Sequence, residues 1–327
     1  MGRTARAVRV AAAGKPEAMR IEDVAVGDPG PGEALVHQEA IGLNYIDVYF
    51  RSGAYPLAAG SGLGAEAAGT IASVGPGVDG LKAGDRVCYG GSAPGAYADW
   101  RIMPADRLVR LPDDVATDDA AALAMKGMTV EYLLTRCFPL RSGRSALVYA
   151  AAGGVGLIAG QWGRAIGATM IGVASGEEKC ALARRNGYDV VIDRAREDVA
   201  ERVRAETGGR GVDVAYDSIG RATFETTMAS LAPRGYFVSF GATTGIAPPV
   251  EMDRLQKGGS LYVTRPTLAT YIASRDDLVL SAGKLFDLVR DGSIRPSVGR
   301  RYRLDDIVQA HHDLESGNTL GQSLITP

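Results

Sequence analysis

A glycine-rich turn between an apolar strand and a helix is the strongest chemical signal in the 327-residue sequence. The stretch SALVYAA runs into Gly153, Gly154, Val155 and Gly156, and a second strand-like segment, TMIGVAS, follows the next helix. Small residues at such a turn let the backbone approach a pyrophosphate, whose charge the N-terminal end of a helix stabilises. The pattern is GxGxxG with alanine in the first position. It predicts dinucleotide binding, although glycine-rich turns also arise from packing alone.

The residues after that second strand indicate which dinucleotide binds. Folds that prefer NAD place Asp or Glu about 20 residues beyond the glycine turn, where the carboxylate binds the ribose 2′-hydroxyl. Ser175 and Gly176 occupy that place here, and Lys179 follows within reach of a 2′-phosphate. The pattern favours NADPH. The alternative is that Lys179 is simply a solvated residue on a helix face.

The histidines and cysteines predict no metal site. Catalytic zinc needs three protein ligands, usually Cys and His, and the chain has only His37, His311 and His312 beside three widely separated cysteines. Adjacent histidines on a helix point about 100° apart, so His311 and His312 cannot share an ion. Without a metal to polarise a carbonyl, a hydride donor suits acceptors that take electrons readily, namely quinones or conjugated enones.

The elements that must position these residues fall into two patterns. Residues 1–120 form short strands bounded by glycine and proline, which is typical of an antiparallel, barrel-like β domain. From Asp118 a long helical run leads into strand–helix alternation, with a helix predicted to reach Leu231 and a strand YFVSFG after it. Such alternation indicates a parallel sheet. Since two more helices follow Thr267, we expect a β-rich domain that receives an inserted α/β domain.

Composition and charge narrow the functional class. The chain is 46% hydrophobic and 23% charged, which are ordinary values for a globular protein. The formal net charge is −2, so we expect no nucleic-acid partner. No segment approaches the ~18 apolar residues of a membrane span, so we expect no membrane association. The start lacks the apolar core of a signal peptide, and the three cysteines show no pairing pattern, so we expect a cytoplasmic protein.

With these residues identified, the chain resembles the zinc-free, zeta-crystallin-like NADPH:quinone oxidoreductases of the medium-chain dehydrogenase/reductase superfamily. The similarity spans nearly the whole chain and includes AIGLNYIDVYFRSGAYP, SGLGAEAAG, AGDRVCYG, KGMTVEYLL, YDSIG, FVSFG and QSLITP. In SGLGAEAAG, Ala65 stands where zinc-dependent relatives carry histidine. The resemblance implies an α/β protein with a GroES-like β-barrel catalytic domain over residues 1–124 and 268–327. A Rossmann domain, a doubly wound parallel sheet over residues 125–267, would be inserted in it and bind NADPH.

The resemblance also implies roles for particular residues. Asn44 and Tyr49 belong to the segment that lines the nicotinamide end in the family, and Tyr55 matches a tyrosine at the substrate mouth, so these three are the candidate catalytic residues. Each implied position could instead be an ordinary core, turn or cap residue. The further implied cofactor contacts are Tyr45, Ile46, Asp47, Thr129, Tyr132, Ser218, Phe240, Gly241, Ala242, Thr243, Thr264 and Arg265.

We therefore expect metal-free, NADPH-dependent reduction of quinones by hydride or electron transfer from nicotinamide. A tyrosine hydroxyl or solvent would protonate the reduced product. Two alternatives remain open. One is an enone or enal double-bond reductase on the same scaffold, and the other is a crystallin-like protein that binds NADPH or RNA with little catalysis.

Two further expectations concern the phosphate pocket and assembly. Lys179 matches the family's phosphate-binding lysine, and Gly317 stands where related enzymes often carry an arginine. We hypothesise that Arg194, at a position that is aromatic in relatives, replaces the contact missing at Gly317.

The β-prone segment 259–264 would lie at a sheet edge, and exposed apolar edges invite pairing. We expect a homodimer through that edge, as the family resemblance also implies.

Overall fold

The structure, a computed structural model, describes residues 3–91 and 93–327 and divides the chain into two compact units. The first unit comprises Met1–Met128 and Tyr271–Pro327, and the second comprises Thr129–Thr270. Each unit has its own apolar core. Among the described residues, no helix is both long and apolar enough to cross a membrane.

Strands and helices follow one another along the described chain in this order. The strands are β1 (Arg3–Val10), β2 (Met19–Val26), β3 (Glu33–Gly42), β4 (Ser61–Gly62), β5 (Glu66–Val74), β6 (Arg86–Gly90), β7 (Trp100–Pro104), β8 (Val109–Arg110), β9 (Ser145–Tyr149), β10 (Thr169–Ala174), β11 (Val190–Asp193), β12 (Val212–Asp217), β13 (Leu231–Ser239), β14 (Tyr262–Thr264), β15 (Val298–Arg303) and β16 (Gln322–Thr326). The α-helices are α1 (Tyr45–Ser52), α2 (Thr117–Glu131), α3 (Gly154–Ile166), α4 (Glu177–Arg185), α5 (Val199–Glu206), α6 (Phe224–Ala229), α7 (Met252–Lys257), α8 (Leu268–Tyr271), α9 (Arg275–Arg290) and α10 (Ile307–Glu315).

The first unit consists mainly of antiparallel sheets. One has the strand order β2–β1–β4, and the other has the order β15–β16–β3–β5–β6–β8, with β7 also paired to β3. In β1, Ala5 and Ala7 are buried while Arg6 between them is exposed, which is the two-residue period of a half-buried strand. β16 pairs antiparallel to β3, so the end of the chain lies in this unit.

The second unit is built on a parallel sheet with the order β11–β10–β9–β12–β13–β14. Every residue of β9 and β12 is buried, which explains why β9, SALVY, is a nearly continuous apolar run rather than an alternating one. Strand order reverses between β9 and β12. In doubly wound sheets this switch point, at the carboxyl ends of the strands, is where ligands bind.

Two predicted boundaries in the second unit are wrong. The helix expected to reach Leu231 ends at Ala229, and β13 begins at Leu231. Pro233 disfavours helical geometry in the residue before it, and Leu231 is buried in the core of the unit. The edge strand begins at Tyr262 rather than Gly259, because Gly259 and Ser260 have φ values of +100° and +61°, which no extended strand adopts.

Candidate active site

Most predicted cofactor residues of the second unit lie at one edge of its sheet. The carboxyl ends of parallel strands meet at the same edge, so the segments that follow β9 to β14 converge there. The predicted residues in those segments are Gly153, Gly154, Val155 and Gly156 after β9; Ser175, Gly176 and Lys179 after β10; Arg194 after β11; Ser218 after β12; Phe240, Gly241, Ala242 and Thr243 after β13; and Arg265 after β14, whose last residue is Thr264.

Gly156, in the first turn of α3 after β9, has no room for a side chain. A Cβ on Gly156 would lie 2.3 Å from the carbonyl oxygen of Ala150, and Ala150 itself has a φ of +53°. The hydroxyl of Tyr188 donates to the carbonyl oxygen of Gly156 at 2.6 Å and holds the first turn of α3 in place. Gly153 is the residue that caps this 13-residue helix. A backbone of this shape, at the start of a helix, fits a pyrophosphate.

Arg194 and Ser175 are brought together although they follow different strands. The Nε of Arg194 donates to the Oγ of Ser175 at 2.6 Å, and the arginine side chain is exposed. Asp193 also connects the segments after β10 and β11, because its Oδ1 accepts a hydrogen bond from the backbone N–H of Gly176 at 3.1 Å. That bond is the main cause that lowers the pKa of Asp193, ahead of the second N–H that the carboxylate accepts. Lys179 lies on the first turn of α4, where the sequence predicted it.

The hypothesis that Arg194 replaces a contact missing at Gly317 stays a prediction. Gly317 follows the last turn of α10 and has a φ of +70°. A side chain in this left-handed conformation costs roughly 1–2 kcal/mol. The backbone of this chain at that position therefore favours the glycine that it carries.

Ser218 packs closely against the loop after β13 and is hydrogen-bonded to it. Gly241 packs so closely that a Cβ on it would lie 2.5 Å from the carbonyl oxygen of Ser218, and the N–H of Thr243 donates to that oxygen at 3.4 Å. The fully buried carboxylate of Asp217 fixes the start of this arrangement. It accepts hydrogen bonds from the N–H groups of Ile219 and Gly220 and from the hydroxyls of Thr223 and Thr227.

Thr129 and Tyr132 lie on a helix instead of at the end of a strand. Thr129 is half-buried near the end of α2, and Tyr132 is buried at the start of a π-helical segment, Tyr132–Cys137, that continues it. Glu131 is fully buried at the junction and is paired with Arg136 at 2.7 Å. Widened helical turns of this kind occur frequently at functional sites.

In the first unit, α1 carries a run of candidate residues. Asn44 is its N-cap residue, and the backbone N–H of Asn44 donates to Oδ2 of Asp47 at 3.0 Å. Asn at the cap with an acidic residue three positions later is a favourable helix start. Gly53, with a φ of +83°, ends the helix. Tyr45, Ile46, Asp47 and Tyr49 are thereby held on two turns of one helix.

Three tyrosines form an aromatic cluster beside α1. The rings of Tyr45 and Tyr49 have centroids 5.3 Å apart, and those of Tyr49 and Tyr55 are 5.2 Å apart. The backbone N–H of Tyr55 donates to the carbonyl oxygen of Tyr49 at 2.9 Å, which fixes the loop after the helix. All three residues are half-buried. Burial raises the pKa of Tyr45, so its hydroxyl stays protonated at neutral pH. Such rings offer flat faces to a conjugated ligand.

A buried polar network supports α1. The hydroxyl of Tyr97 donates to Oδ2 of Asp47 at 2.8 Å and lies 3.3 Å from Nε2 of His311. Arg51 donates to both carboxylate oxygens of Glu315, at 2.6 and 2.9 Å, and lies 3.4 Å from Nδ1 of His311. Because a guanidinium only donates, Nδ1 of His311 accepts and Nε2 carries the proton. Burial raises the pKa of Asp47 to about 7, and burial together with Arg51 lowers the pKa of His311 to about 3.

Two residues beside Asn44 were not predicted from the sequence. The Oε2 atom of Glu66 accepts hydrogen bonds from Nζ of Lys126 at 2.6 Å and from Nδ2 of Asn44 at 2.8 Å, and both charged side chains are buried. A signal for each was present. Lys126 interrupts the apolar run of α2, and Glu66 stands in SGLGAEAAG among small residues with no other charge.

Within the two described ranges, no group of three or more His, Cys, Asp or Glu side chains is placed to hold a metal ion. Each histidine makes another contact. The ring of His37 packs against that of Trp100 with centroids 4.4 Å apart, His311 belongs to the Asp47 network, and Nε2 of His312 lies 2.7 Å from a carboxylate oxygen of Glu17.

Comparison with known proteins identifies the family. Two family models match, the alcohol dehydrogenase GroES-like domain over residues 30–113 and the zinc-binding dehydrogenase over residues 154–273. A quinone oxidoreductase of Pseudomonas aeruginosa is 43% identical over 324 residues, which cover 99% of this chain and 100% of that protein. A 2-haloacrylate reductase of a Burkholderia species is 40% identical over 96% of each chain.

A crystal structure of the Escherichia coli quinone oxidoreductase complexed with NADPH has a TM-score of 0.96 to this chain at 43% identity, covering 99% of this chain and 100% of that one. The predicted fold class, a GroES-like domain with a parallel-sheet Rossmann domain, is confirmed. This chain belongs to the zinc-free quinone oxidoreductases of the medium-chain dehydrogenase/reductase superfamily.

Proposed function

We propose that this protein is an oxidoreductase that reduces quinones with NADPH. The observation that carries the proposal is the β9–α3 turn, where Gly153 caps α3 and a Cβ on Gly156 would lie 2.3 Å from the carbonyl oxygen of Ala150, so that the helix begins directly against the end of the strand. The full-length similarity to quinone oxidoreductases, one of them solved with NADPH, supports the same conclusion. When bound, NADPH supplies the hydride, and the protein supplies binding and orientation.

We assign the cofactor to residues 125–267 and the catalytic groups to residues 1–124 and 268–327. The N–H groups of the β9–α3 turn bind the pyrophosphate, and Lys179 with Arg194 binds the 2′-phosphate. The interlocked loops at Ser218 and 240–243 hold the nicotinamide carboxamide. Thr129, Tyr132, Thr264 and Arg265 are further candidate contacts.

The tyrosine cluster orients the acceptor. A quinone is flat and conjugated, and the neighbouring rings of Tyr45, Tyr49 and Tyr55 are suited to pack against it. Reduction of a quinone to a hydroquinone takes one hydride and one proton. We assign the hydrogen bond to the acceptor oxygen to the hydroxyl of Tyr49 or Tyr55, with solvent replacing the proton. The protein accelerates the reaction by holding NADPH and the quinone in a reactive orientation and by excluding water.

The decisive test is a substrate panel in which NADPH consumption is followed by absorbance. We expect turnover with a quinone, a strong preference for NADPH over NADH, and a lower kcat in Tyr49→Phe or Tyr55→Phe with little change in NADPH affinity. A protein that binds NADPH but turns over neither a quinone nor an enone contradicts the proposal.

Reduction of an activated carbon–carbon double bond is the second candidate function. It is supported by the 40% identity to a 2-haloacrylate reductase over 96% of each chain. Both reactions deliver a hydride to a conjugated acceptor, so the same binding groups serve either. If the panel gives a much higher kcat/KM for a 2-haloacrylate or an unsaturated aldehyde than for any quinone, this function replaces the first.

We further propose a homodimer in the cytoplasm. β14 is the edge strand of the parallel sheet, and its Tyr262 and Val263 side chains are 51% and 37% exposed. Exposed apolar residues on an unpaired strand edge favour pairing with a second copy. Cys88 and Cys180 are buried cysteines that form no disulfide, which fits a reducing compartment.

A further inference from the structure

The carboxylate of Glu66 is the centre of a buried polar cluster next to Asn44. Its Oε2 atom accepts from Lys126 at 2.6 Å and from Asn44 at 2.8 Å, and Oε1 accepts the backbone N–H of Met125 at 2.6 Å. The chain leaves room for this carboxylate at Gly42, where a Cβ would lie 2.1 Å from Oε2. Three segments that are distant in sequence, 42–44, 66 and 125–126, therefore meet at one charged group.

These contacts determine which way the Asn44 amide points. Its Nδ2 lies 2.8 Å from Glu66 Oε2 and 3.2 Å from the carbonyl oxygen of Gly42. Both neighbours are acceptors only, so the NH₂ group must face them and the amide oxygen must face away. Both Nδ2 hydrogens are used inside the protein, and Oδ1 faces the backbone N–H of Asp47 in the capping box of α1, so Asn44 can offer a ligand only the second lone pair of Oδ1. Its partner on a ligand is an N–H or O–H donor, and not the oxygen of a quinone.

Stability alone explains the ion pair in this cluster poorly. Replacing a buried ion pair by apolar side chains of similar volume is often neutral or stabilising, because burial of two charges costs much of what their attraction supplies. Glu66 is 0% exposed and Lys126 is 5% exposed, so neither charge is relieved by water. Glu66 of this pair accepts a hydrogen bond from Asn44, the N-cap residue of α1, and this helix carries Tyr45 and Tyr49.

We propose that the buried Lys126–Glu66 ion pair positions the Asn44 amide in a single orientation and that hydride transfer depends on this orientation. Lys126 and Glu66 are thus positioning residues that act through Asn44. The dependence of hydride transfer rests on the proposed function, whereas the fixed orientation does not.

The orientation is tested without turnover. The chain contains three asparagines, Asn44, Asn186 and Asn318, so selective ¹⁵N-asparagine labelling gives three side-chain amide signals, and Asn44→Ser identifies one of them. We expect slow hydrogen exchange of the Asn44 amide in the wild type. In Glu66→Leu/Lys126→Met, which removes both charges, exchange should accelerate at least about tenfold, because a charge-assisted hydrogen bond is lost. Unchanged exchange in this variant overturns the proposal.

The catalytic half is tested with the same variant and NADPH deuterated at the transferred hydrogen. We expect an NADPH affinity within about twofold and a kcat lower by about 10- to 100-fold with a larger isotope effect, as misplacement of a reacting group produces. The melting temperature should fall, because the Met125 N–H and the Asn44 amide lose their buried acceptor, and a control variant with a similar loss of stability separates this effect from the effect on turnover. Glu66→Gln, which keeps the shape and one acceptor oxygen, should lie between the two. Wild-type kcat in both variants overturns this half.

Asp213→Ala is the matched control. Asp213 is also a buried carboxylate, bonded to the N–H of Ser145 at 2.8 Å and to Arg210 at 3.0 Å, but it lies at the amino ends of β9 and β12. The Asp213→Ala variant should have a lower melting temperature but the same hydrogen-exchange rate at the Asn44 amide and the same isotope effect as the wild type. A control that changes both shows that any loss of stability has these effects, and overturns the proposal. A wild-type protein without turnover refutes the proposed function and the catalytic half, while the exchange rates still decide the orientation.

Discussion

Removal of Arg194 should weaken NADPH binding and leave NADH binding nearly unchanged. The Nε of Arg194 is held 2.6 Å from Ser175 Oγ, so the guanidinium is already ordered at the place where an NAD-binding fold carries an acidic residue. A hydrogen bond to a charged group contributes about 1.5–3 kcal/mol. Because the Arg194 side chain is exposed and screened by solvent, the lower end applies. At ~1.4 kcal/mol per decade, the NADPH Kd should rise about tenfold in Arg194→Ala.

The assay is a titration of each variant with NADPH and with NADH at low and at high salt. Lys179→Ala should give a similar loss, and the NADPH preference of the wild type should narrow at high salt because exposed charges are screened. Arg196→Ala is the matched control, since its guanidinium is 76% exposed and lies 3.8 Å from Asp193. The reasoning is refuted if the wild type prefers NADH, or if neither Arg194→Ala nor Lys179→Ala changes the ratio of the two affinities.

Three further predictions test the turn, the buried network and the assembly. Gly156→Ala places a Cβ 2.3 Å from a carbonyl oxygen, so it should cost about 1–3 kcal/mol of stability and most of the NADPH affinity, as thermal melting and titration will measure. Between about pH 4 and 6.5 the folded protein keeps a proton on Asp47 that the unfolded chain releases, since burial raises the pKa of Asp47 to about 7. Over the same range the folded protein lacks a proton on His311 that the unfolded chain binds, since the pKa of His311 is lowered to about 3. The contribution of Asp47 to the free energy of unfolding therefore falls with rising pH, while that of His311 rises. Asp47→Asn removes the falling contribution, so its melting temperature should climb with pH relative to the wild type. Parallel curves of melting temperature against pH contradict this. Val263→Lys, at a residue 37% exposed on the sheet edge, should shift the mass in light scattering from dimer to monomer, and a monomeric wild type refutes the interface.

The second unit was predicted well because its signals are local. Apolar runs such as SALVY and the glycines from Gly153 to Gly156 determine strand, turn and helix within a few residues of each other, and the structure has all three. Since parallel strands end at one edge, placing the strands also placed Ser175 and Arg194 on the same side of the sheet. The errors at Leu231 and Gly259 arose where burial and backbone dihedral angles, not periodicity, determine where a strand begins.

The first unit was predicted less completely. The sequence indicated short strands up to residue 120, but α1 was not predicted as a helix, although Asn44 and Asp47 have the spacing of a helix cap. Only the resemblance to the family pointed to Asn44, Tyr49 and Tyr55 as site residues. The 5.2 Å approach of Tyr49 to Tyr55 depends on the turn at Gly53, which lies outside any periodic pattern.

The sequence by itself therefore determined the glycine turn, the parallel sheet and the non-acidic residues, Ser175 and Gly176, that follow β10. Tertiary structure alone decided which charges are buried and with what partner. Lys126 and Glu66 lie 60 residues apart, and Arg51 and His311 lie 260 apart, yet each pair is in contact. Periodicity reports only on neighbours along the chain. Burial of a charge, by contrast, is tolerated only where the whole fold brings a partner to it.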